Sequence, residues 1–138
     1  MDPESLKAAG WMRLESVGFT GVTGPFWMQG ASTERLIGLL AEPRHGNNHV
    51  GTVHGGVLMT FADICLGYGA AEALGDVRCV TAHLQLHFVS SARIGEFITC
   101  RPELVRCGSQ LIFMRGLVMA GERIVANADG IWKVLKQG

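Results

Sequence analysis

Residues 51–71 carry a single charged side chain, Asp63, in a run that is otherwise apolar, small or uncharged. Length and composition predict a helix over Gly55–Leu74 that is apolar on nearly all sides. Such a helix must be wrapped by the rest of the protein, because no face of it prefers water. A bilayer would also accept a segment of this length. That reading is set aside because an unpaired carboxylate at mid-span costs a few kcal/mol on insertion scales. The segment also has no basic flank and lies between strand-like stretches. No membrane partner is expected.

The stretches around this helix read as strands. After Gly75-Asp76 the pattern changes to period two, with Val80, Ala82, Leu84, Leu86 and Phe88 on one face and Thr81, His83, Gln85 and His87 on the other. Residues 97–106, 111–120 and 123–134 predict three further strands, separated by turns at Cys107-Gly108-Ser109 and Ala120-Gly121-Glu122. Ala126, Ala128 and Gly130 share one face of the last strand, where small side chains would let a thick helix approach closely. Upstream, 4–17 reads as a short amphipathic helix, the glycines at 18, 21 and 24 with Pro25 as a turn region, and 26–31 with 35–41 as a hairpin. The expected architecture is α+β: an antiparallel sheet curled around one long central helix, with a short N-terminal helix. One domain over 1–138 is expected, with 1–24 as its N-terminal helix and turn region.

Composition narrows the partners. The chain has 12 basic and 12 acidic residues, dispersed rather than in blocks, which argues against nucleic acid. Only 17% of residues are charged and 48% are hydrophobic, so some apolar surface is expected to be covered by other subunits. The four cysteines form no CxxC pair, and the first residues lack a basic-then-apolar leader, so a reducing cytoplasm is the expected compartment.

The chemistry is expected in the segment 48–56, Asn48-His49-Val50-Gly51-Thr52-Val53-His54-Gly55-Gly56, and the helix after it. Glycines at a helix start expose backbone NH groups where the helix dipole adds positive charge, which suits an oxyanion. His54 and Asn48 can add side-chain donors to the same oxygen. The plainer account is that Gly55-Gly56 permit a tight entry turn and His54 caps it. Asp63 is harder to explain by folding, since its neighbours are Phe61, Ala62, Ile64, Cys65 and Leu66. A general base or nucleophile in a dry cleft is the economical account; bonding to a loop or a strand hydroxyl is the other. His54 and Asp63 are separated by a rise of roughly 13 Å and about 900° of rotation, equivalent to half a turn. One chain therefore cannot easily aim both at one carbonyl, and a two-fold dimer is the simplest way to join them.

Asn48 six residues before His54-Gly55-Gly56, Asp63 nine residues after His54, and the strand 80–88 together resemble the PaaI-like hotdog-fold acyl-CoA thioesterases, over roughly 26–135. The resemblance implies that the Gly55 NH and the Asn48 amide polarise the thioester carbonyl with help from His54. It implies that Asp63 of the partner subunit acts as general base or nucleophile, and that Thr81 positions water; Thr81 read alone is an ordinary β-branched strand residue. CoA is implied to lie along Ser90, Ser91 and Arg93 and along Arg106, Gly108 and Ser109, with Gly56 close by. Many relatives have a basic residue where this chain has Gln110, so Arg93 or Arg106 is left to meet the phosphates, unless both are solvated surface charges. His87 is a candidate for the acyl pocket or a structural histidine. No cofactor is implied, CoA being part of the substrate, and a homo-oligomer, at least a dimer and by expectation a tetramer, is.

Rival chemistries lack their signatures. His83 and His87, four residues apart on a strand, are separated by about 13 Å, too far to share one metal ion, and HExxH is missing. There is no GxSxG for a serine esterase, no P-loop, no dinucleotide fingerprint and no Asp-x-Asn-x-x-His pattern for a hotdog hydratase. The remaining alternative is a module that binds acyl-CoA without cleaving it.

Overall fold

The computed structural model describes residues 1–47 and 50–136. Its centre is one antiparallel sheet of eight strands: β1 (Met12–Arg13), β2 (Phe26–Gln29), β3 (Leu36–Leu40), β4 (Cys79–Phe88), β5 (Phe97–Cys100), β6 (Glu103–Cys107), β7 (Leu111–Ala120) and β8 (Arg123–Val134). The order is β1-β2-β3-β5-β7-β8-β4, with β6 pairing to β7 beside β5. The helix α3 (Gly55–Leu74) lies on the inner face of the sheet. It begins at the His54 cap and ends where Gly75 takes φ 73°, a left-handed conformation that favours glycine.

Leu58, Phe61, Ala62, Cys65, Leu66 and Ala70 form the buried stripe of α3. They meet Ile98, Ile112, Met114, Val118, Ala126, Ala128 and Trp132 from the strands in one core. Ala126, Ala128 and Gly130 are buried on β8, as the small-residue pattern predicts. The wrapping is one-sided, however. Met59, Thr60, Asp63, Ile64, Gly67 and Tyr68 are only half-buried, so much of the apolar helix is not covered by its own chain.

Three sequence expectations change. The N-terminal helix α1 is shorter, Pro3–Ala8, capped by Asp2 with Ser5 in a reciprocal box. The chain then extends to pair Met12 with Met28 and Arg13 with Trp27, a tertiary pairing that overrides local helix propensity. A second short helix, α2 (Gly18–Thr23), occupies the expected turn region. The stretch 97–106 is two strands, because Arg101-Pro102 breaks the ladder and Pro has no NH to give it.

A further change concerns β4. Thr81 pairs with Trp132, but His83 pairs with Ile131, so Ala82 is an extra residue in a bulge. Beyond it Leu84, Leu86 and Phe88 lie opposite Gly130, Ala128 and Ala126 on the inner face. Thr81 shares that inner face, while His83, Gln85 and His87 face outward. Strict alternation had assigned Thr81 to the histidine face.

Gly130 lies on β8 opposite Leu84, and a Cβ there would lie 2.7 Å from the His83 carbonyl oxygen and 2.7 Å from the Trp132 ring. Gly130→Ala is expected to destabilise the fold by about 1–3 kcal/mol, the usual cost of overpacking. Urea unfolding checks this; a loss under about 0.5 kcal/mol, ordinary for a surface change, would contradict the tight packing.

Candidate active site

Asp63 is on the third turn of α3 and only half-buried. Thr81 Oγ1 donates a 2.6 Å hydrogen bond to its Oδ1. The bulge at Ala82 makes this contact possible by turning Thr81 inward. No partner among the described residues takes up the other carboxylate oxygen, Oδ2. Thr81 has spent its hydrogen on Asp63, but its lone pairs can still accept one from water.

The start of α3 forms a second cluster. The Gly56 NH donates to His54 Nδ1 at 2.8 Å, so His54 caps the helix as the plainer account holds. With Nδ1 accepting, the neutral ring carries its proton on Nε2, which makes the exposed edge of His54 a donor. The cap and the donor role are therefore compatible. The Gly55 NH has no acceptor among the described residues. Gly55, Phe88, Ser90 and Ser91 line a cleft of about 350 Å³ together with Asn47 and Leu58. Asn47 went unnoticed in the sequence; its amide donates to Thr52 Oγ1 at 3.1 Å and steadies this entry loop. Asn48 lies outside the described residues.

The 90–93 turn is fixed by partners that local sequence does not reveal. Ser90 Oγ donates to the Ile124 carbonyl at 2.6 Å, and Arg123 donates to the Ser91 carbonyl at 3.0 Å and to Glu96 at 2.7 Å. The Arg93 NH donates to the same Glu96 oxygen at 2.7 Å. The Arg123 hydrogen bond, more than the charges themselves, holds the Glu96 carboxyl below the usual glutamate range. At the far end of the sheet, Arg106, Gly108 and Ser109 line a separate cleft of about 480 Å³. Arg93 and Arg106 are the arginines without a carboxylate partner among the described residues; the other seven each have one. A larger cleft of about 740 Å³ at the β5–β6 break, near Leu36, Pro102 and Leu117, contains none of these residues.

One chain does not unite the groups. The helix start lies by Phe88, whose ring would be 3.6 Å from a Cβ on Gly55, whereas Asp63 lies by Thr81 near the other end of β4. The 90–93 turn and the Arg106 hairpin are likewise at opposite ends of the strand. His87 is excluded from the inner cluster, since it faces outward opposite Asn127. Within one chain, and among the described residues, no three His, Cys, Asp or Glu side chains gather as a metal site.

An antiparallel sheet with one long helix across its inner face, a carboxylate on that helix and an open NH at its start define a hotdog-type protein. The family model described as thioesterase superfamily matches residues 50–126, more than half of the chain, and the chain belongs to that superfamily. A Pseudomonas aeruginosa protein with a provisional esterase designation is 35% identical over 111 residues, covering 79% of this chain and 82% of its own. A Bacillus halodurans protein crystallised with CoA superposes with a TM-score of 0.71 at 27% identity, over 80% of this chain and 74% of that one. Zebra fish thioesterase superfamily member 2 shares the fold at a TM-score of 0.78 and 21% identity, covering 88% and 89%.

Arg123→Ala is expected to release the 90–93 turn. The Arg93 amide should exchange with solvent about tenfold faster, the scale of losing a charge-assisted hydrogen bond of roughly 1.5 kcal/mol. Unchanged exchange, read by NMR or mass spectrometry, would mean that the turn is held by other contacts.

Proposed function

We propose that this chain is an acyl-CoA thioesterase of the PaaI-like type, acting as a homodimer or a tetramer built from such dimers. The observation that carries the reading is the 2.6 Å hydrogen bond from Thr81 to Asp63 on the uncovered side of the helix. Folding does not require a carboxylate there. A base that must meet both water and substrate does.

The outer edge of β4 supports the dimer. β4 is an edge strand of ten residues, with Val80 47% and Phe88 54% exposed and Val89 just beyond it 61% exposed, and neither proline nor a charged side chain within it blocks pairing. Antiparallel pairing with a second copy about a two-fold axis would set the Phe88 end of one strand beside the Thr81 end of the other. The Gly55 NH of one subunit would then face Asp63 of the partner subunit. The same operation would bring one subunit's 90–93 turn toward the partner's Arg106 hairpin, giving CoA phosphates two unpaired arginines.

In this arrangement the Gly55 NH, His54 Nε2–H and the Asn48 amide polarise the thioester carbonyl. Asp63 takes a proton from water held by Thr81, and the resulting hydroxide adds to the carbonyl carbon. The oxyanion is held at the helix start, then the C–S bond breaks and CoA leaves as thiolate to be protonated. Direct attack by Asp63, giving an anhydride that water then opens, uses the same residues. The reading makes the protein cytoplasmic, with no cofactor of its own. Aryl and short- or medium-chain acyl groups are the candidate substrates.

Asp63→Asn should lower turnover of acyl-CoA by about 10²–10⁴-fold, measured as free thiol released. Thr81→Ala should cost less, and Asn48→Ala about 10²-fold in kcat, as for one oxyanion donor. Undiminished hydrolysis by Asp63→Asn would rule out the mechanism, and tight acyl-CoA binding by wild type without turnover would favour the non-catalytic binding module.

A further inference from the structure

The outer face of β4 presents His83, Gln85 and His87, opposite Ile131, Asp129 and Asn127 on β8, and all three β4 side chains are exposed. When β4 pairs with its copy about a two-fold axis, inner-face residues must lie opposite inner-face residues, or the two helices would fall on opposite sides of the joined sheet. This condition allows the axis to pass at Leu84, Gln85 or Leu86. An axis at Leu84 puts the bulged Ala82 inside the ladder, opposite Leu86, and one at Leu86 leaves only 84–88 to pair before the strand ends at Phe88. An axis at Gln85 pairs 83–87 and meets Ala82 only at its last rung, opposite Phe88.

With Gln85 on the axis, His83 lies directly opposite His87 of the partner subunit, and symmetry repeats the pair on the other side of Gln85. Directly opposed residues have Cβ atoms about 4.5–5.5 Å apart. Two imidazoles at that separation can converge on one ion at roughly 2.0–2.1 Å, although His83 and His87 of a single chain, about 13 Å apart, cannot. Asp129 lies in the intervening row, opposite Gln85. It has no ion pair among the described residues, and its other neighbour Arg115 is held by Glu103 at 2.8 Å. A free carboxylate thus borders both histidine pairs.

We propose that each His83–His87 pair across the seam binds one divalent late transition metal ion, of the class that imidazole favours: zinc, nickel or copper. The two ions per dimer bridge the subunits on the face opposite the helices, away from Asp63. Because the site exists only in the dimer, metal binding tightens association by mass action. The inference rests on the dimer of the proposed function.

Nickel titrated calorimetrically into metal-free wild type, with sedimentation velocity on the same samples, tests both. The expected result is a dimer that binds one Ni²⁺ per chain, with Ni²⁺ shifting a dilute sample further toward dimer. His83→Gln and His87→Gln should each remain dimeric and each weaken both sites by more than about tenfold, a scale reached even by outer partners of metal sites. Each site uses one copy of either residue, so a single substitution reaches both. A wild-type dimer that takes up no Ni²⁺, or a variant that binds like wild type, overturns the metal site and leaves the dimer standing. A wild type that sediments as a monomer overturns the dimer and the site with it.

Discussion

The packing of α3 on the inner face of the sheet is the contact on which the rest of the structure depends. A helix with no polar face is stable in water only where apolar surface meets it, and one chain supplies that surface to the stripe from Leu58 to Ala70 alone. Ala126, Ala128 and Gly130 keep β8 thin beneath it. The uncovered side carries Asp63, Met59, Ile64 and Tyr68, and the outer edge of the adjacent strand β4 has no partner strand within the chain. Both deficits lie on the same side of the chain, which supports the proposed pairing with a second copy.

Most of the architecture was legible because its signals are periodic and long. The bounds of α3, β7 and β8 follow from apolar pattern and turn residues, with Gly75 and Gly121 as stops. The short elements were not. β1 owes its existence to Phe26, Trp27 and Met28, which are distant in sequence, and Arg101-Pro102 divides a run that reads as continuous. Local pattern carries no term for either effect.

The site was legible in its residue types and illegible in one geometric detail. Its isolation as a charge singled out Asp63 and the family resemblance singled out Thr81, yet strict alternation turned Thr81 away from the helix, and only the extra residue Ala82 turns it back. Bulges leave no dependable mark in a single sequence, though an alternating strand with its one functional hydroxyl on the wrong face is a usable warning. The same bulge leaves His83 and His87 outward, on the face away from Asp63. Arg123 and Glu96 were missed because they act through the Ser91 carbonyl and the Arg93 NH, contacts that only the fold creates.

The central claim is an active site divided between two chains, and subunit complementation tests it most directly. Gly55→Pro removes the proposed oxyanion NH at the first helical position, where proline is well tolerated, and the extended His54 backbone accepts a following proline. Asp63→Asn removes the proposed base. Each homodimer should be nearly inactive, whereas a purified heterodimer of the two should recover about half of the wild-type activity, because one of its two sites combines an intact Gly55 with an intact Asp63. A heterodimer as inactive as both parents would place Gly55 and Asp63 of the same chain in one site and contradict the account.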